Sequence, residues 1–325
     1  MKIKIFKYQV HTQSGNILSM NKHTPKLIKV IVIGGAGFIG SHVVDALVER
    51  GFAVHVIDNL SGGRKENVNP KAIFHKADIR ELDAIRPIIK GAKFVFHLSA
   101  LPRVPYSIEH PIETNDVNVS GTVNVLVASK EGGVKRVIYS ASSSAYGDQP
   151  KMPLVETMSA NPKSPYGLQK YVGELYAKLW HEVYGLETVS LRYFNVYGPR
   201  LNPDGAYALA IGKFLKQRAE GKPLTITGDG TQTRDFTHVY DVVRANLLAA
   251  ESPKVGKGEV INIGAGKNFS INNLAKLIGG EVTYIAPRLE PRDTLADNSL
   301  AKKLLGWSPE ISLEEGIAEL KAVFK

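Results

Sequence analysis

Cysteine is absent from all 325 residues, which excludes thiolate catalysis, Cys-based zinc sites and structural disulfides together. Methionine (4) and tryptophan (2) are scarce, and aromatic residues make up 8% of the chain, so no aromatic-basic stripe of the kind that stacks on nucleic acid is present. Long apolar runs are missing too. The longest, Val30 to Val44, contains Gly34, Gly35, Gly37 and Gly40 and makes a poor membrane span. What remains is an ordinary globular composition, 43% hydrophobic and 22% charged, long enough for one large domain or two smaller ones.

The formal net charge of +10 would fit a nucleic-acid binder, but its distribution does not. Lys2, Lys4, Lys7, Lys22, Lys26 and Lys29 contribute six of those charges with no Asp, Glu or Arg among them, leaving +4 for the other 296 residues. The start, MKIKIFKYQV, alternates apolar and basic residues and lacks the continuous apolar core of a signal peptide. Residues 1–26 read as an extension, with Met20 a candidate natural start, and the protein is expected to be cytoplasmic, bound to neither nucleic acid nor membrane. The nine histidines are scattered without metal-ligand spacing, so no metal is expected.

From Lys29 onward short apolar runs alternate with helical patterns. Strands are expected at Val30–Ile33, Ala53–Ile57, Ala72–Phe74, Phe94–Leu98, Arg136–Ser140, Thr188–Tyr193 and Glu259–Ile263. They are continuous apolar runs rather than alternating ones, as strands buried on both faces require. Helices are expected at Gly40–Arg50, Glu81–Lys90, Glu113–Lys130, Tyr166–Tyr184, Ala206–Glu220 and His238–Ala250, with shorter ones at Ile271–Ile278, Ser299–Leu305 and Leu313–Val323. The pattern predicts an α/β fold of the Rossmann type, a doubly wound parallel sheet, with a smaller discontinuous α/β part for the substrate.

Directly after the first strand stands Gly34-Gly35-Ala36-Gly37-Phe38-Ile39-Gly40. Glycines at 34, 37 and 40 permit a tight turn, close backbone approach to a pyrophosphate and close helix–strand packing, and the following helix offers its free N–H groups to the phosphates. Asp58 ends the second strand 18 residues after Gly40, followed by Asn59. A carboxylate there accepts hydrogen bonds from an adenosine ribose and repels a 2′-phosphate, which favours NAD over NADP. Asp78-Ile79 and Leu98–Ala100 (Leu98 and Ala100 among them) end the next strands on the same side.

Tyr166 and Lys170 are four apart at the start of a helix and so share one face. A phenol titrates near ~10, and a neighbouring ammonium favours its phenolate, which makes such a tyrosine a usable base. Upstream, Ser140-Ala141-Ser142-Ser143-Ser144-Ala145-Tyr146-Gly147 closes a strand and offers hydroxyls to a reacting group.

With Leu191-Arg192-Tyr193-Phe194-Asn195 added, these motifs resemble those of the extended short-chain dehydrogenase/reductases, in particular the NAD-dependent nucleotide-sugar epimerase/dehydratase branch and most closely its UDP-glucose/UDP-N-acetylglucosamine 4-epimerases. The resemblance runs from Val30 to Trp307. It implies Ser142 as the serine holding the sugar 4-OH, Tyr166 as general base and Lys170 on the nicotinamide ribose, with Tyr193 beside the nicotinamide. Ser143, Asn195, Arg234 and Arg288 are implied in substrate binding. Arg288-Leu-Glu-Pro-Arg292-Asp departs from the family's Arg-x-Gly-Asp, so Arg288 and Arg292 both stand as candidates for the phosphate.

By the same resemblance, 4,6-dehydratases carry an Asp-Glu pair at the positions of Ser143 and Ser144. Two serines there leave elimination without a carboxylic acid and point instead to 4-epimerisation of a UDP-hexose, N-acetylated or plain; a dehydratase or a UDP-glucuronate epimerase or decarboxylase is the alternative. Thr294 matches a gatekeeper where a large tyrosine excludes N-acetyl sugars. The implied organisation is an NAD-binding part, 27–195 with 236–264 returning to its sheet, and a nucleotide-sugar part from 196–235 and 265–325. The helices Glu113–Lys130 and Tyr166–Tyr184 are implied to pair in a homodimer.

Overall fold

The computed structural model describes residues 27–102, 104–202, 210–287 and 292–324. The expected extension 1–26 and the first residues of the expected Ala206–Glu220 helix lie outside them. In the first half the chain forms β1 (Lys29–Ile33), α1 (Phe38–Glu49), β2 (Ala53–Asp58), β3 (Ile73–Lys76), α2 (Leu82–Ile89), β4 (Phe94–His97), α3 (Val104–Glu109), α4 (Pro111–Asn115), α5 (Gly121–Glu131), β5 (Arg136–Ser142), α6 (Pro165–Tyr184) and β6 (Glu187–Tyr193). In the second half follow β7 (Val196–Tyr197), α7 (Ala210–Ala219), β8 (Leu224–Thr227), β9 (Thr233–Asp235), β10 (Thr237–His238), α8 (Val239–Glu251), β11 (Lys257–Ile263), β12 (Asn268–Ser270), α9 (Ile271–Ile278), β13 (Val282–Ile285), α10 (Ser299–Leu305) and α11 (Leu313–Val323).

Seven strands make one parallel sheet in the order β11-β6-β5-β4-β1-β2-β3, the doubly wound arrangement the sequence predicts. Alternate residues of β1 explain why its run is apolar throughout. Val30 and Val32 pack with Val43, Val44 and Leu47 of α1 and with α8, while Ile31 and Ile33 pack with Ile85, Ile89, Val125 and Leu126 of α2 and α5. The strand order reverses between β1 and β4, which opens a crevice at their carboxyl ends.

A third core unites Tyr197, Phe214, Leu224, Ile226, Phe236, Leu274 and Ile317 from both later stretches of chain. Here the structure adds three two-stranded sheets, β10-β7, β12-β9 and β13-β8, of which only the helices between were expected. Strands of two to four residues carry too little periodicity to be read locally. The expected single helix Glu113–Lys130 is also interrupted. Asp116–Ser120 forms one π-turn between α4 and α5, and it lets Asn118 exchange amide hydrogen bonds with Leu101 (2.7 and 3.0 Å) and donate to Gln169 (2.8 Å).

Candidate active site

Gly34 turns the chain out of β1 at φ 81°, with its N–H on the Ile57 carbonyl at 2.8 Å. A Cβ at Gly34 would meet the Ser99 backbone N at 2.7 Å, so only glycine lets β1 and β4 approach here. Gly37 caps α1 without any side-chain hydrogen bond, which leaves the helix's first N–H groups open to an anion. Beside them the Asp58 carboxylate accepts from Ala36 N (3.0 Å) and Leu60 N (2.8 Å). Burial raises its pKa, and these two bonds oppose the rise.

Gly34, Gly37, Phe38, Ile39, Asp58, Asn59, Asp78, Ile79, Leu98 and Ala100 all line one cleft of about 720 Å³. Asp78 is held by Arg80 through both oxygens and by Asn59 Nδ2 at 2.8 Å, and the Arg80 bonds depress its pKa to about 2. Ser99 Oγ, buried at the cleft wall, has no partner within the protein. An open helix N-terminus, a carboxylate at the end of β2 and an orphan hydroxyl fit a dinucleotide. Leu101, Pro102, Tyr106, Arg200, Leu201 and Asn202 also line the cleft. Leu101, Pro102 and Tyr106 continue from the strand end at Leu98–Ala100 into α3, whereas Arg200, Leu201 and Asn202 arrive from a loop distant along the chain that nothing in the sequence marked. Tyr166, Lys170 and Tyr193 are not among the lining residues; the Tyr193 side chain packs on the α8 side, with the hydroxyl donating to Asn246 Oδ1 at 3.0 Å.

Ser142, Tyr166 and Lys170 lie where β5 ends and α6 begins. Ser142 is the last residue of β5, and its Oγ caps a single 3-10 turn, Ser143–Ala145, by accepting from Ser144 N at 3.1 Å. Ser164 caps α6 through Gly167 N (3.1 Å) and Pro165 occupies its first turn. The N–H of Tyr166 donates to Ser107 Oγ of α3 at 3.1 Å, fixing where the tyrosine enters the site. Burial pushes the Tyr166 phenol up to about 12, against the hydrogen bond it shares with Ser142. Lys170, one turn on and 3% exposed, is lowered by burial to about 7, with the Glu174 carboxylate opposing. Its Nζ lies 4.8 Å from the centre of the Tyr139 ring.

Glu174 was not singled out by sequence, although its i,i+4 spacing from Lys170 was the available signal. It pairs with Arg192 at 2.8 and 2.6 Å, and Arg192 lies 4.4 Å from the centre of the Tyr146 ring.

A second group assembles beyond β6. Asn195, at φ 30°, donates to the Asp235 carbonyl (3.1 Å) and to Thr294 Oγ1 (3.3 Å), and Thr294 Oγ1 also accepts from Asp235 N at 3.2 Å. Arg234 binds the carbonyls of Thr233 and Arg292 at 2.8 and 2.9 Å. Asp235, fully buried, fastens this region to the sheet by accepting from Ala265, Gly266 and Ala296 N–H groups at 2.7–3.0 Å. Burial raises it to about 6. Arg288 lies outside the described residues, and the Arg292 side chain is 76% exposed. Among the described residues no group of three or more His, Asp or Glu is placed to hold a metal, and no helix is long and apolar enough to cross a membrane.

The chain is similar to proteins of known structure and sequence. The UDP-glucose 4-epimerase of Thermotoga maritima, solved with UDP-glucose, is 40% identical and superimposes with a TM-score of 0.87 over 92% of this chain and 100% of its own. The UDP-N-acetylglucosamine 4-epimerase of Methanobrevibacter ruminantium, in complex with UDP-N-acetylmuramic acid, matches with 40% identity and a TM-score of 0.87 over 92% of this chain and 98% of its own. A UDP-glucuronate 4-epimerase of Thermodesulfobacterium geofontis is 37% identical over 88% of this chain and 93% of its own length. Residues 30–264 match the NAD-dependent epimerase/dehydratase family, and the chain belongs to it.

Proposed function

We propose that the protein is an isomerase that interconverts UDP-hexoses at C4, UDP-GlcNAc with UDP-GalNAc, UDP-glucose with UDP-galactose, or both. The observation that carries this reading is the placement of Ser142, Tyr166 and Lys170 around the junction of β5 and α6, with Ser143 and Ser144 in the adjoining turn where a dehydratase needs carboxylic acids.

In this reading residues 27–195 with 236–264 hold NAD, and residues 196–235 with 265–325 hold the UDP sugar. Gly34, Gly37 and the start of α1 take the pyrophosphate, Asp58 with Asn59 the adenosine ribose, and Asp78-Ile79 the adenine. Bound NAD⁺ supplies the acceptor, and later the donor, of the C4 hydride. Ser142 holds the 4-OH, and Tyr166 withdraws its proton as C4 is oxidised. Lys170 stabilises the phenolate charge so formed: burial lowers it to about 7, and a phenolate one turn away on the same helix would draw it back toward the ammonium. The same Tyr166 returns the proton once the 4-keto sugar has presented its other face. No third acid is required, in keeping with the serines at 143 and 144.

Asn195, Arg234 and one of Arg288 and Arg292 are assigned to the UDP group. Thr294, small and fixed by two hydrogen bonds, leaves space for an N-acetyl group. The T. geofontis relative supports a second reading, in which the substrate is a UDP-hexuronate.

We further propose a homodimer through α4 and α6. Ile112, Leu168, Leu175, Leu179 and Val183 stand 86%, 50%, 49%, 44% and 60% exposed along this face, an apolar surface that a second copy would cover. Light scattering tests the dimer, and cell fractionation tests the cytoplasmic location expected from sequence. The activity is tested by incubating the protein with UDP-GlcNAc, UDP-glucose or UDP-glucuronate without added NAD and following the sugar by proton NMR. A 4-epimer is expected, whereas a 4-keto-6-deoxy or pentose product would overturn the reading.

A further inference from the structure

His42 and Asp45 lie three residues apart on α1, the helix whose first turn faces the cleft, and neither belongs to a recognised motif. Both reach a segment far along the chain. After β7 the backbone turns at Gly198, φ 147°, where a Cβ would meet Val239 Cγ1 at 2.5 Å, and continues as Pro199-Arg200-Leu201-Asn202. His42 Nε2 lies 2.8 Å from the Pro199 carbonyl oxygen. A carbonyl only accepts, so Nε2 carries the hydrogen. Burial lowers His42 to about 4, which keeps the imidazole neutral in any ordinary buffer.

Arg200 Nη2 meets Asp45 Oδ2 at 2.7 Å, while Asp45 Oδ1 accepts from Asn69 Nδ2 at 2.8 Å, so both carboxylate oxygens are engaged. Arg200 sits at φ 64°, a left-handed conformation disfavoured for any residue but glycine and maintained here by its surroundings. Leu201 is 5% exposed, and its N–H returns to Gly198 O at 3.3 Å. Arg200, Leu201 and Asn202 line the same cleft as Gly37, Phe38 and Ile39. The segment is thus buckled to the helix whose N-terminus is assigned to the pyrophosphate.

We propose that Asp45 is a positioning residue that, through its ion pair with Arg200, fastens residues 199–202 at the wall of the dinucleotide cleft and so retains the cofactor from one turnover to the next. This inference rests on the cleft being the NAD site. Retention suits the chemistry: hydride leaves C4 and comes back to it, so NAD ends each cycle in its starting form. Loss of the cofactor at the keto stage would strand the sugar. The strap bears on release, with no contact to the reacting atoms.

The test is the rate at which purified full-length protein releases NAD, with alcohol dehydrogenase and ethanol trapping the released NAD as fluorescent NADH. Asp45→Ala and Arg200→Gly each remove the ion pair, and the glycine also relieves the left-handed backbone, so that variant keeps its fold. Release is expected to rise about three- to fivefold in each, as for loss of one half-buried ion pair. In the double variant release should rise less than additively, because the ion pair is lost once, and Arg200→Lys should restore part of the retention. Wild-type release rates in both single variants would overturn the proposal, as would faster release that merely tracks a fall in melting temperature. A wild-type protein that fails to bind even added NAD would instead overturn the assignment of the cleft, and the strap with it.

Discussion

Glu174 and Arg192 form a bidentate ion pair, 2.8 and 2.6 Å, with side chains only 2% and 4% exposed, one helical turn beyond Lys170. Burial pushes the Glu174 carboxyl up and the guanidinium on both its oxygens pulls it back, while Arg192 stacks over Tyr146. The Glu174 carboxylate therefore serves two cations, holding Arg192 directly and favouring the charged form of Lys170 one turn before it.

Glu174→Gln should be strongly destabilising, by about 3–5 kcal/mol, because Arg192 stays buried without its counter-charge. Urea unfolding checks this. Glu174→Gln combined with Arg192→Met should recover most of the loss, since the second change removes the unpaired cation. If the single and double variants unfold alike, the pair is not balanced in the way the geometry indicates.

Lys170→Met is expected to abolish turnover yet raise stability. Lys170 is lowered in the fold to about 7 from 10.5, so between these pH values the unfolded chain binds more protons and stability rises with pH. Below about 7 the buried ammonium is a constant cost. The variant should gain roughly 1–3 kcal/mol at pH 7 and lose the upward slope of stability between pH 7 and 10. Melting curves across that range give the answer, and an unchanged slope would show that Lys170 is not the titrating group.

Tyr166→Phe should reduce kcat by about 10²–10⁴-fold, the usual worth of a positioned general base, without a matching fall in stability. Ser142→Ala should reduce it less, because a water replaces one hydroxyl more readily than it replaces a base. Single-turnover measurements with UDP-glucose separate these losses from changes in binding.

Thr294→Tyr should remove turnover of N-acetylated substrate while sparing the plain hexose. Thr294 Oγ1 also accepts from Asn195 and Asp235, so Thr294→Val is the necessary partner experiment. Valine keeps the size and loses the hydrogen bonds. If valine shifts specificity as tyrosine does, the residue acts through Asn195 rather than by filling space.

Asp235→Asn should cost about 2–3 kcal/mol, because one amide oxygen cannot serve donors that engage both carboxylate oxygens, and its NH₂ would face another N–H. The carboxyl is raised to about 6 in the fold, so this group makes stability fall as pH rises from about 4 to about 6. Calorimetry of the variant should show that decline removed.

The amino-acid sequence by itself determined the sheet, the glycine turn and the tyrosine–lysine helix. Each is local: a strand buried on both faces must be apolar throughout, a left-handed turn at Gly34 needs glycine, and an i,i+4 pair shares a helix face in any fold. The π-turn at Asp116–Ser120 and the short strands β8, β9, β12 and β13 were not legible, since the turn depends on Leu101 and Gln169 and each strand on a partner strand far along the chain rather than on a repeating pattern. Only the tertiary structure decided which distant groups meet: Arg192 with Glu174, Asn195 with Thr294 across 99 residues, and His42 with Pro199 across 157. Such pairs leave no periodic trace in a sequence, because their spacing along the chain is fixed by how the sheet is wound.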